Sequence, residues 1–115
     1  MREGDVVLAQ IPQADNQAKR RPVIILREFP PYRDLLVCGI STRVQQHVKG
    51  FDEVISSEDA DFSSSGLLSA SVVRLGFLSI QPRNKILGSI GSIAPERHRR
   101  LLRTLSEHLV ANLED

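Results

Sequence analysis

Two hydrophobic periodicities, in a fixed order along the chain, most constrain what it can fold into. Short runs rich in Val, Ile and Leu come first, and proline, glycine or polar residues bound each of them, as is typical of β-strands. We predict strands at Asp5–Gln10, Pro22–Arg27, Leu35–Ser41, Phe51–Ile55, Ser71–Ile80 and Ile86–Ile93. The polar stretch SSEDADFSSSG, between the fourth and fifth runs, is predicted to be a loop outside the core.

The C-terminal segment carries the second periodicity. Leu101, Leu105, Leu109 and Leu113 recur every four residues, which is the spacing of one helix face. Pro95 suits a first helical turn, so we predict an amphipathic helix from Pro95 to the last of these leucines. Five or six strands before one late helix predict a mainly β fold, either a small antiparallel barrel or a curled sheet with the helix packed on it.

Size and composition limit the class of protein. The chain has 115 residues, which fits a single domain over residues 1–115. Hydrophobic residues make up 41% and charged residues 25%, a globular composition. No apolar run approaches the roughly 20 residues of a membrane span, and the N-terminus lacks the apolar core of a signal peptide. We therefore predict a cytoplasmic protein without a membrane partner.

The sequence contains no motif for a metal or a nucleotide cofactor. Cys38 is the lone cysteine, and His47, His98 and His108 do not have the spacing of zinc ligands. Neither a Walker A motif nor GxGxxG is present. The prediction is a protein that uses no cofactor and no metal.

A basic run meets a buried strand at Lys19, Arg20 and Arg21, because Pro22 and four aliphatic residues follow directly. Pro22 and this strand would hold Arg21 rigidly, while Lys19 and Arg20 would lie on a looser loop. A guanidinium matches two phosphate oxygens in a rigid fork, which makes Arg21 a candidate phosphate ligand. The alternative is an ordinary solvated cation at a strand end.

Hydroxyls and a further cation stand at the end of the third strand. Ser41 and Thr42 would close this strand, with Arg43 next. Hydroxyl donors beside an arginine suit a phosphate group, but the same residues also form turns by bonding nearby backbone. Both interpretations stay open on the sequence alone.

The fifth predicted strand carries an arginine between apolar neighbours. A half-buried Arg74 needs an anionic partner, which favours a binding role. Strand alternation places Arg74 and Gly76 on one face and Phe77 on the other, leaving room above Arg74. A second basic segment, with Arg97 and Arg100 among its members, could present a further basic face although the net charge is only +1.

Together these segments resemble one known family. GDVVLAQI, a polar loop, RRPVIIL, LVCGIST, SVVRLGFLSI and IGSI before a final helix resemble the PemK/MazF toxins, the ribonuclease halves of bacterial toxin–antitoxin pairs. The resemblance covers nearly the whole chain and implies an SH3-like barrel that forms a homodimer. It implies sequence-selective, metal-independent cleavage of single-stranded RNA to a 2′,3′-cyclic phosphate and a 5′-hydroxyl. It also implies a cognate antitoxin, and DNA binding by the complex with that antitoxin.

The resemblance also implies roles for individual residues. By position, Arg21 matches the catalytic arginine of the family, and Ser41 and Thr42 match its phosphate-binding hydroxyls. Arg74 matches a second arginine of some members, and Asp5 falls where some members carry a carboxylate close to an arginine. The residues expected to contact RNA around this site are Lys19, Arg20, Asn16, Gln17, Arg43, His47 and Gly76.

Two departures from the family bear on catalysis. Asn16 stands about where many members have a glutamate, and Gly76 stands where some have a carboxylate. Asp5 remains a candidate general base, and His47 is either a second candidate or a solvated loop residue. Without a base, the chain would be a catalytically weak or inactive module that binds RNA or an antitoxin. A third possibility is a structural dimer built on the leucine stripe.

Overall fold

The computed structural model describes residues 1–12 and 18–113 of the chain. In these ranges six strands, one long helix and one short helix follow each other in sequence. They are β1 (Asp5–Pro12), β2 (Ala18–Phe29), β3 (Asp34–Ser41), β4 (Glu53–Ile55), α1 (Phe62–Ser65), β5 (Ser71–Gln81), β6 (Ile86–Ser92) and α2 (Pro95–Val110). Neither α1 nor α2 has both the length and the apolar character needed to cross a bilayer.

The strands form one antiparallel sheet in the order β4-β5-β3-β2-β1-β6. The predicted mainly β fold with a C-terminal helix is confirmed. Within the described residues no pairing joins the edge strands β4 and β6, so the sheet is not closed and the SH3-like barrel of the prediction is not confirmed. β2 begins earlier than predicted, so Lys19 and Arg20 lie on the strand, opposite Ile11 and Gln10 of β1, and not on a loop.

Apolar side chains are buried on both faces of the sheet. On one face, Ile24 of β2 and Leu75 of β5 pack in a cluster that includes Leu101 of α2. On the other face, Val23 and Ile25 belong to a second cluster with residues of β1 and β3. A strand that is covered on both faces has apolar side chains at consecutive positions, which explains the apolar run in β2. It also makes β2 a rigid support for whatever its exposed end carries.

Helix α2 is confirmed, but its end and its apolar stripe differ from the prediction. The helix ends at Val110, three residues before the predicted end, where the backbone turns extended at Ala111. Leu101 and Leu105 are buried, whereas Leu109 is 64% and Leu113 is 70% exposed. The leucine stripe is therefore buried over its first half only, and Leu113 lies beyond the end of the helix.

The predicted polar loop before β5 instead contains α1 and an almost fully buried carboxylate. Arg97 of α2 donates to both oxygens of Asp61, with Nε 2.8 Å from Oδ2 and Nη2 3.0 Å from Oδ1. Asp61 Oδ2 also accepts the backbone N–H of Ala94 (3.0 Å), at the start of α2. Buried charges are retained when they are paired and hydrogen-bonded in this way. Arg97 therefore does not belong to a basic surface, contrary to the sequence-based expectation.

Glu53 of β4 extends this network across to a second arginine. Its carboxylate accepts from Arg97 Nη1 (2.9 Å) and from Arg100 Nη2 (3.0 Å). The hydrogen bonds from Arg97 hold the pKa of Asp61 below its usual range, although burial acts in the opposite direction. Burial by itself would lower the pKa of Arg97, but its bonds to Asp61 and the charges of Asp61 and Glu53 raise it. Both groups are ionised at neutral pH.

Candidate functional site

A groove with a volume of about 330 Å³ opens where β2, β3 and β5 meet. Three arginines from three different segments line it, namely Arg21, Arg43 and Arg74. The remaining lining residues are Pro22, Val23, Gly39, Ile40, Ser41, Gln46 and Phe77. None of these described lining residues is acidic, so the groove presents a concentration of positive charge.

The sheet register brings these arginines together. Val23 of β2 lies opposite Gly39 of β3, and Gly39 in turn lies opposite Arg74 of β5. Val23 is buried in the second apolar cluster, and Arg21 shares its face of β2 two residues earlier. At the groove, the buried apolar side chains on this face of β2 end with Val23, and Arg21 follows towards the exposed end of the strand. Arg21 is held there by a strand whose following residues are buried.

β5 leaves regular pairing beside the groove. Gly39 is paired with Arg74, but the preceding Cys38 is paired with Leu78, so residues 75–77 form a bulge. The bulge reverses the alternation predicted for this strand. Phe77 lines the groove together with Arg74, whose guanidinium carbon is 6.0 Å from the ring centroid. The expectation that Phe77 faces away from Arg74 is wrong.

Gly76 does not line the groove, although the alternation rule predicted that it would share the face of Arg74. A Cβ added at Gly76 would lie 3.5 Å from Cε2 of Phe51, which is an ordinary contact outside the groove. A carboxylate introduced at this position would therefore point towards Phe51 and away from the three arginines of the groove. The bulge changes which side chain stands beside Arg74.

Asp52 fixes the bulge from a distant part of the chain. Its Oδ1 accepts the backbone N–H of Leu75 (3.1 Å), and its Oδ2 accepts the N–H of Val48 (3.0 Å). The side chain is buried, and it satisfies an N–H that the bulge removes from the sheet ladder. Sequence reasoning missed Asp52, because no local pattern links a loop aspartate to a strand 23 residues later.

Replacing Asp52 by Asn should lower the free energy of unfolding by about 1–3 kcal/mol, since one carbonyl oxygen cannot accept from both the buried N–H of Leu75 and the partly buried N–H of Val48 with the original geometry. Urea denaturation monitored by circular dichroism would measure the change. Glu58→Gln is the matched control, because Glu58 is an exposed carboxylate in the following segment. Equal stability of the two variants would contradict the role assigned to Asp52.

Other residues predicted for the site lie at or near the groove. Ser41 and Arg43 line it, and Ser41 Oγ accepts the backbone N–H of Arg43 (3.1 Å). This bond leaves the hydroxyl proton of Ser41 available to a ligand. Thr42 lies between them and is exposed, but it is not a lining residue. Lys19 and Arg20 are exposed on β2 just outside the groove.

Two candidate bases are not brought to the groove. Asp5 lies opposite Ser92 of β6, whereas Arg21 lies opposite Ala9 of β1. Asp5 and Ala9 are four residues apart on the same strand, so their Cα atoms are about 13 Å apart. The Asp5 carboxylate accepts the backbone N–H of Arg2 (2.8 Å). His47 does not line the groove either, and its Nε2 lies 3.1 Å from the backbone oxygen of Asp52.

Asn16 and Gln17, the two predicted RNA contacts in the first loop, lie outside the described residues. Cys38 is described and is fully buried, and burial raises the pKa of its thiol to about 12. The thiol is therefore protonated at neutral pH and is not a nucleophile. Among residues 1–12 and 18–113, no group of three or more His, Cys, Asp or Glu side chains could hold a metal ion.

The fold and the groove agree with one class of protein, the toxins of type II toxin–antitoxin systems. A family model described as the PemK-like, MazF-like toxin of such systems matches residues 2–109. The chain belongs to this family, as its sequence resemblance predicted.

Among solved structures, the Mycobacterium tuberculosis toxin MazF-mt6 is similar to this chain. The TM-score is 0.69 at 20% identity, over 95% of this chain and 99% of that chain. At this identity the likeness shows a shared fold. A search of curated proteins finds no match to the sequence.

Proposed function

We propose that this toxin is a sequence-selective endoribonuclease that cleaves single-stranded RNA without a metal, leaving a 2′,3′-cyclic phosphate and a 5′-hydroxyl. The observation that carries the proposal is the groove lined by Arg21, Arg43 and Arg74 with no acidic residue among its described lining. A phosphodiester is the ligand that suits several fixed guanidinium groups. Membership of a toxin family supports RNA as the source of that phosphodiester.

The proposed reaction is an in-line attack by a ribose 2′-hydroxyl oxygen on the adjacent phosphorus. The new O–P bond forms as the bond to the 5′-oxygen breaks, and the 2′-proton is lost while the leaving oxygen gains one. Negative charge develops on the phosphoryl oxygens, where Arg21 and Arg74 would stabilise it. The Ser41 hydroxyl would donate a hydrogen bond to a phosphate oxygen, because its own oxygen already accepts one from the Arg43 N–H.

The groove explains charge stabilisation better than proton transfer. No carboxylate or imidazole is among its described lining residues, and Asp5 and His47 lie elsewhere. A positioned general base contributes about 10²- to 10⁴-fold to a rate, so a site without one would be slow. This observation favours a second candidate function, a catalytically weak or inactive module that binds RNA or an antitoxin through the same groove.

Incubation with single-stranded RNA in EDTA separates the two functions. Cleavage should give 5′ ends that accept phosphate from polynucleotide kinase without prior phosphatase treatment. The 3′ ends should resist ligation until the cyclic phosphate is opened and the resulting monophosphate is removed. Products that form only with added magnesium, or that carry 5′-phosphates, would overturn the proposal. Binding without products would assign the chain to the binding module.

Affinity for single-stranded RNA should fall steeply with salt, because phosphate contacts release counterions. Three groove arginines predict a log–log slope of about −2, at about −0.7 per phosphate neutralised. Arg74→Ala should make the slope shallower by about 0.7, the contribution of one phosphate contact. Fluorescence anisotropy across a salt series measures it, with Arg99→Ala, an exposed cation on α2, as the control. A flat salt response would contradict a phosphate-binding groove.

A type II system supplies the toxin with a cognate antitoxin, and we propose that an acidic or apolar segment of that antitoxin covers the groove. We also propose a homodimer in the cytoplasm, with DNA bound through the toxin–antitoxin complex. Within residues 1–12 and 18–113 no further strand pairs with the edge strands β4 and β6, and unpaired edges favour self-association. Light scattering at micromolar concentration would reveal a monomer if the homodimer is wrong.

A further inference from the structure

Phe77 is the aromatic side chain that the described groove contains. The chain has four Phe and one Tyr, and Phe77 alone among them lines the groove next to the three arginines. Its side chain is 44% exposed and belongs to neither apolar core cluster. Packing of the core therefore does not explain why the bulge of β5 brings a phenyl ring here.

The ring has a defined seat in the groove. A Cβ added at Gly39 would lie 2.8 Å from Cδ1 and 3.3 Å from Cγ of Phe77, so the ring rests against bare backbone of β3. The Arg74 guanidinium carbon lies 6.0 Å from the ring centroid, at the outer limit of a cation–π contact. Gly39 and Arg74 thus lie against the ring, and Phe77 keeps 44% exposure for contact with a ligand.

We propose that Phe77 is the stacking surface for one nucleobase of the bound RNA, next to the phosphate held by the arginines. The inference rests on the proposed function for the identity of the strand. Proteins that bind single strands combine a cationic groove for the backbone with aromatic rings on which bases stack. A phenyl ring carries no hydrogen-bonding group, so it fixes the position of the base without reading its edge. Sequence selectivity then comes from other contacts.

Binding of a cleavage-resistant oligonucleotide, RNA with 2′-O-methyl groups throughout, tests the proposal by fluorescence anisotropy. Phe77→Leu keeps an apolar side chain but removes the ring, and it should weaken binding about 5- to 150-fold, the range reported for loss of one base–aromatic stack. Phe77→Trp should retain the affinity. The matched control is Phe29→Leu, because Phe29 is 43% exposed but lies at the far end of β2.

Abasic oligonucleotides make the test specific for stacking. Each position of the strand is replaced in turn by an abasic unit. At one position, wild type and Phe77→Leu should bind with equal affinity, because the base that stacks is missing. Gly39→Ala provides a second variant, since the added methyl group occupies the seat of the ring and should weaken binding while Phe77 is still present. Thermal melts establish that each variant is folded.

The outcomes separate the stacking proposal from the proposed function. Equal binding by wild type and Phe77→Leu, with weaker binding by Arg74→Ala, would overturn stacking and leave an RNA-binding groove. Loss of affinity in Phe77→Leu, without any cleavage of unmodified RNA, would support stacking and overturn the endoribonuclease. A wild-type chain that binds no single-stranded RNA would overturn both.

Discussion

Replacing Arg21 by Ala should reduce RNA cleavage by about two orders of magnitude or more, as removal of one fixed donor to a developing oxyanion does. The expected size follows from the position of Arg21. Pro22 fixes the backbone after it, and Val23 is 1% exposed in the second apolar cluster. The backbone that carries the guanidinium is therefore held in place by the buried residues that follow it. Single-turnover cleavage of a short single-stranded RNA is the appropriate measurement.

Two further variants define what Arg21 contributes. Arg21→Lys keeps the charge but loses the planar fork, so an intermediate rate would indicate bidentate contact with phosphate. Arg99→Ala removes an exposed cation that pairs with Glu96 on α2, and its rate should match wild type. Arg21 is exposed, so its substitution should leave the melting temperature nearly unchanged. Wild-type cleavage by Arg21→Ala would show that Arg21 is only a surface cation.

Replacing Arg97 by Ala should cost about 3–5 kcal/mol of folding free energy, the range for breaking a buried ion pair from one side. The side chain of Arg97 is 8% exposed, and its removal would leave Asp61, at 5%, without its cationic partner. Arg99→Ala is again the control, two residues along the same helix but 64% exposed. Urea denaturation measures the difference. A loss below 1 kcal/mol would mean that water or a neighbouring cation replaces Arg97.

The same network predicts how stability responds to acid. The pKa of Asp61 is held below its unfolded value, so its contribution is present above about pH 4 and is lost as the pH falls through the folded pKa. In Arg97→Ala the main cause of the lowered pKa is removed. The loss of stability on acidification should therefore be smaller in this variant than in wild type.

Residues whose environment is set by near neighbours in sequence were predictable. The continuous apolar run of β2 indicated a buried strand, and the leucine spacing of α2 indicated a helix. Arg21, Ser41, Arg43 and Arg74 were predicted as candidates from such local patterns, and the groove contains all four.

The features that sequence could not predict depend on contacts between distant segments. Alternation along β5 presumes unbroken pairing with β3, but the bulge is held by Asp52, 23 residues earlier. Arg97 looked like part of a basic surface because its partner Asp61 is 36 residues away in a segment that is polar by composition. In both cases the tertiary fold brings a carboxylate to a partner that is distant in sequence, so no local periodicity predicts the contact.

In a regular strand, the number of residues in a segment determines which partners the residues on either side of it have. The bulge of β5 removes this constraint. Arg74 and Leu78 are paired with adjacent residues of β3, although three residues lie between them. We expect an insertion or deletion at Gly76 to change the length of the bulge and to leave both pairs in place. It would exchange the side chain that enters the groove at the place of Phe77. The lining of the groove at this place can thus vary through changes of length as well as changes of residue type.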